Sequence, residues 1–102
     1  MKIYFFGSNQ CKNCIKQLRS IKKEHIILPV NGLFLYVDAF DMDNENICNE
    51  HNIDEIPHTK VYDDNEVLVF DKIGLFDPKR LWDKIYPDEN KRKIAIEKSK
   101  RM

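Results

Sequence analysis

The stretch Phe5-Phe6-Gly7-Ser8-Asn9-Gln10-Cys11-Lys12-Asn13-Cys14-Ile15 constrains this chain more than any other. The apolar run Ile3–Phe6 predicts a buried strand. A polar segment with Gly7 follows, and Ile15, Leu18 and Ile21 then recur at helical spacing. The two cysteines therefore open a helix directly after a strand. Positions i and i+3 of a first helical turn lie within disulfide reach. The free N–H groups and dipole at a helix N-terminus favour a thiolate, lowering a thiol from its usual value of about 8.5. Cys11 is the expected nucleophile, Lys12 a neighbouring charge that tunes it, and Cys14 the resolving thiol.

The pattern along the rest of the chain is β-α-β-α-β-β-α. The first helix is expected to end near Lys23 or Glu24. Pro29 and Asn31-Gly32 mark a connection. The continuous apolar run Leu33–Val37 predicts a strand covered on both faces. Asn44 is a cap for a short helix carrying Ile47 and Cys48 inward. Thr59–Tyr62 and Val67–Phe70 read as strands joined by a hairpin at Asp63–Glu66. Gly74 marks a bend, and Asp77 with Pro78 opens a helix with Leu81, Trp82 and Ile85 on its apolar face. Alternating strands and helices require a parallel crossover. The fold class is therefore α/β, a central mixed sheet flanked by helices. Residues 1–87 form one domain, and residues 88–102 a basic extension, helical or frayed.

With its Cys-x-x-Cys after a strand and the later segment Ile53-Asp54-Glu55-Ile56-Pro57-His58-Thr59, the chain resembles the thioredoxin superfamily from about Lys2 to Tyr86. The resemblance implies a minimal thioredoxin-like fold and dithiol–disulfide exchange through Cys11 and Cys14, reducing protein disulfides. It further implies a cis-proline at Pro57, and a substrate groove formed by Ile56, Pro57 and His58. The implied partners are disulfide-containing proteins and an electron donor, either a reductase or glutathione, with no cofactor. The chain departs from the family at several positions. Lys12-Asn13 stands between the cysteines, Gln10 replaces a tryptophan, and Phe5 falls where thioredoxins bury an aspartate. His58 follows the proline in place of threonine. Gly74-Leu75-Phe76-Asp77 lacks the paired glycines of the glutaredoxin glutathione-binding turn.

Composition narrows the function classes. The chain has 102 residues, 42% hydrophobic and 33% charged, and the 17 basic and 17 acidic residues cancel. Nothing global favours nucleic acid or membrane. Three cysteines are an odd count, against a disulfide-stapled secreted scaffold. The N-terminal apolar run is too short for a signal or a membrane span. A cytoplasmic monomer is the expectation.

Several residues carry two readings. His58 either serves the thiolate beside Cys11 or is an exposed strand-edge residue. Lys16, Arg19, Lys22 and Lys23 form either a solvated helix face or a surface that steers an acidic partner. Cys48 is a small buried apolar residue rather than a third redox thiol. Two rival functions fit the same residues. One is a zinc site built from Cys11, Cys14, Cys48 and His51. The other is a thioredoxin-like adaptor without essential redox activity.

Overall fold

A computed structural model of the chain describes residues 1–100. The first apolar run forms β1 (Lys2–Gly7), whose alternating side chains serve two layers. α1 (Lys12–Lys23) crosses over to β2 (Leu33–Asp38), which lies parallel to β1. A 3-10 turn (Met42–Asn44) leads into the one-and-a-half-turn helix α2 (Glu45–Glu50). β3 (His58–Tyr62) and β4 (Leu68–Ile73) form an antiparallel hairpin, and α3 (Arg80–Ile85) and α4 (Glu89–Lys100) close the chain. The strand order is β2-β1-β3-β4, with β1 antiparallel to β3. This is the mixed α/β sheet flanked by helices that the pattern predicts.

The core lies on one face of the sheet. Ile3, Phe5, Val61 and Phe70 pack there with Cys14 and Ile21 of α1 and with Leu81, Trp82 and Ile85 of α3. Phe6 points to the opposite face, where its ring meets His51 and His58. The hairpin is fixed by the Asp63 carboxylate, which accepts from the N–H groups of Asn65 and Val67. Gly74, at φ 87°, turns the chain out of β4 and donates its N–H to the carbonyl of Pro57.

Four expectations change on contact with the structure. β2 is an edge strand, not a covered one: Leu33, Phe34 and Tyr36 are exposed at 49%, 37% and 44%. The buried face of α1 consists of Cys14, Gln17 and Ile21, with Ile15 and Leu18 only half-buried. Asn44 does not cap α2 with its side chain. Its amide instead donates to the Asp38 carbonyl, while Asp41 caps the 3-10 turn. Asp77 accepts from the N–H of Lys79, and a tight turn of i→i+3 bonds delays the start of α3 to Arg80.

The segment after Pro87 is helical as far as Lys100; residues 101 and 102 lie outside the described part. α4 rests Ala95 and Ile96 against the core, and Arg92 lies 4.9 Å over the Trp82 ring. Among the described residues, no helix is long and apolar enough to cross a membrane.

Candidate dithiol site

The site sits where β1 ends and α1 begins. Cys11 is the N-cap of α1: its extended backbone (φ −100°, ψ 114°) turns the chain into the helix, and its Sγ accepts the N–H of Cys14 at 3.2 Å. A thiol here takes the place of the hydroxyl or carboxylate that usually satisfies a free N–H of the first turn. The loop before it is held by Ser8, which is buried. The Ser8 hydroxyl accepts from the N–H of Gln10, and its carbonyl accepts from the N–H of Cys11.

The two cysteines occupy different environments. Both are free thiols, Cys11 half-exposed and Cys14 buried at 1% exposure. Burial, a hydrogen bond with Cys11 and the charge of Cys11 push the Cys14 thiol up to about 12. Gly7 makes the close packing possible. A Cβ on Gly7 would stand 2.7 Å from the Phe5 ring and 3.4 Å from Cys14 Sγ, so this position has no room for a side chain.

Because the native state holds this proton more tightly than the unfolded chain, Cys14 contributes stability that is intact below pH 9 and is lost as pH rises through about 12. The melting temperature of the reduced protein should therefore fall from pH 9 upward. It should fall less steeply in Cys14→Ala, as thermal scans of the two proteins at stepped pH would read. Equal slopes would exclude a buried, proton-holding Cys14.

The Ile56–Pro57 peptide bond is cis. Pro57 is fully buried, and Ile56, half-buried like Cys11, packs against the same core. Since Phe6 pairs with His58, Pro57 falls next to Gly7 at the sheet end where α1 begins. Lys12 is exposed in the first turn and, among the described residues, has no ion-pair partner.

His58 is neither an exposed edge residue nor on the side of α1. It is 5% exposed, in an interior strand, and faces away from the core with Phe6. Its Nε2 is hydrogen-bonded to the Asp71 carboxylate, while Nδ1 is buried and, among the described residues, has no partner.

The four residues of the zinc reading are not brought together. His51 stacks on Tyr4 and Phe6 on the second sheet face, with Nδ1 3.2 Å from the Tyr62 hydroxyl. Cys14 packs on the first face. Among the described residues, no group of three or more His, Cys, Asp or Glu side chains is placed to hold a metal ion. Cys48 is a half-buried free thiol, raised in pKa by burial and by the charge of Asp38.

Sequence reasoning missed Ser8, Gly7 and Gln17. Only the glycine, immediately after an apolar strand, carried a signal of close backbone approach.

The fold is thioredoxin-like. The solved structure of the thioredoxin of Plasmodium falciparum superposes with a TM-score of 0.60 at 23% identity, over 84% of this chain and 83% of that one. No protein-family model and no curated protein sequence matches the chain.

Proposed function

We propose that the protein is a thiol–disulfide oxidoreductase that exchanges electrons through Cys11 and Cys14. The observation carrying this reading is the pairing of a half-exposed N-cap thiol with a buried, proton-holding thiol one helical turn further on. The Cys11 thiolate attacks one sulfur of a substrate disulfide, forming a mixed disulfide and expelling the other sulfur as a thiolate, which takes a proton from water. Cys14 then loses its proton and attacks the Cys11 sulfur. The second substrate thiol leaves, and the two electrons given to the substrate are balanced by the new Cys11–Cys14 disulfide.

The order of the steps follows from the causes that hold the Cys14 proton. Two of the three, the hydrogen bond and the charge of Cys11, lapse once the Cys11 sulfur is bonded to substrate. Burial, the largest cause, persists, but the Cys14 proton is held less tightly once a mixed disulfide exists. Ile56 and Pro57 form the wall along which the substrate chain lies, and Lys12 adds positive charge beside the thiolate. His58 supports that wall from beneath through its bond to Asp71. A reductase or glutathione restores the dithiol, and disulfide-containing proteins in the cytoplasm are the substrates.

Equilibration in glutathione buffers tests this reading. The expected result is a reversible two-electron couple between about −270 and −120 mV, the span of the disulfide oxidoreductases. A chain whose thiols fail to form a Cys11–Cys14 disulfide at any glutathione ratio would refute it.

A further inference from the structure

Charge is strongly segregated along this neutral chain. Residues 1–23 hold Lys2, Lys12, Lys16, Arg19, Lys22 and Lys23 and no acidic residue, whereas residues 24–59 hold eight acidic residues and no lysine or arginine. Among the described residues, none of the α1 cations is in an ion pair. Two of them, Arg19 and Lys22, share a groove with Tyr36 of the edge strand. The groove, of about 210 Å³, runs along α1 between Arg19, Lys22 and Tyr36 and ends at Ser8, Asn9 and Cys14.

The same edge has an open backbone. The N–H of Leu33 donates to Met1 and that of Ala39 to Gly7, so the odd-numbered residues of β2 face β1. The N–H and C=O groups of Phe34 and Tyr36 face outward at the edge of the sheet. Between Leu33 and Val37 the strand has none of the usual edge protection: no proline, no lysine and no bulge.

We infer that the β2 edge docks an extended acidic segment of a partner protein, added as an antiparallel strand beside Phe34 and Tyr36. Its acidic side chains lie on the α1 side against Arg19 and Lys22. This deepens the oxidoreductase reading by giving the substrate a second foothold, along a groove that ends at the dithiol. The charges select this occupant. Two copies of the chain paired edge to edge about a dyad would bring Arg19 and Lys22 of each against those of the other, and like charges facing one another are destabilising. Asp38 ends the strand and Asp41 and Asp43 follow it, so the acidic stretch of the partner is confined to the span of Phe34–Tyr36.

The test uses a capped peptide of sequence valine–glutamate–valine–glutamate–valine, and a lysine-for-glutamate version, titrated into the full chain by amide NMR. Neither peptide contains cysteine, so the result stands apart from thiol chemistry and separates failure of this surface from failure of the redox reading. The acidic peptide should shift the Phe34 and Tyr36 amides, and its binding should weaken with salt. The Arg19→Glu/Lys22→Glu double variant should bind it at least about tenfold more weakly. Both side chains are exposed, so a melting temperature near that of the parent is expected. The charge-retaining Arg19→Lys/Lys22→Arg variant should bind as the parent does. Equal binding of the lysine peptide, shifts confined to the Pro57 side, or no shifts at millimolar peptide would overturn the proposal. So would concentration-dependent pairing of the chain through β2 in sedimentation.

Discussion

Replacing Cys11 with serine should abolish reduction of protein disulfides, with a loss on the order of 10³-fold or more, as for removal of an enzyme nucleophile. Cys11 is the half-exposed thiol of the pair, and its sulfur receives an N–H at the helix start, where negative charge is favoured. A serine hydroxyl in the same place keeps the cap but remains protonated at neutral pH. The helix should therefore survive while the chemistry does not. Cys14→Ser should behave differently. It retains the first displacement and lacks the second, so covalent adducts between Cys11 and partner proteins should accumulate and dissolve on addition of dithiothreitol. Insulin reduction monitored by turbidity reads the first expectation, and non-reducing gels read the second. Full activity in Cys11→Ser would return the protein to the adaptor class.

Much of this site was legible in the sequence because its information is local. A strand, a glycine and a Cys-x-x-Cys opening a helix lie within 15 consecutive residues, and helical geometry alone sets the two sulfurs close together. What required the structure was non-local. Leu33–Val37 is apolar enough to be a covered strand, but how many layers cover it depends on neighbours contributed from distant sequence, and among the described residues nothing pairs beyond β2. The side to which His58 points follows from its pairing with Phe6, a register fixed by strands more than 50 residues apart in sequence. The extension of β4 through Asp71 and Lys72 was obscured by their charge. Asp71 is used by His58, a partnership that strand propensity does not encode.

The largest loss of stability is expected from Phe5→Ala. Phe5 is fully buried in an interior strand, stacks on Tyr36 and fills the space beside Gly7 and Cys14. Truncating such a ring removes its transfer energy and leaves a cavity, at a cost of about 3–5 kcal/mol. That is a large share of the roughly 5–15 kcal/mol available to a domain of this size. The melting temperature should drop by roughly 15 °C or more. The cavity would adjoin Cys14 Sγ, so water entering it should also bring the Cys14 pKa below about 12. Phe40→Ala, at a position 64% exposed, should change neither quantity measurably. Thermal scans measure the first, and the pH dependence of Cys14 alkylation, compared between Cys11→Ser and Cys11→Ser/Phe5→Ala, measures the direction of the second. A cost below about 1 kcal/mol would contradict the assigned core.

Gln17 gives the helix a particular mechanics. Its buried side-chain amide accepts the N–H of Phe76 at 2.8 Å and donates to the carbonyl of the same residue at 3.2 Å, much as a neighbouring strand would. α1 is thus pinned at its waist to the turn after β4, with the dithiol on one side of the pin and Arg19, Lys22 and Lys23 on the other. If the proposed exchange of two thiols for a disulfide takes place, the pin is expected to confine the adjustment to the first turn and Ser8–Gln10, leaving the sheet edge beyond it unchanged.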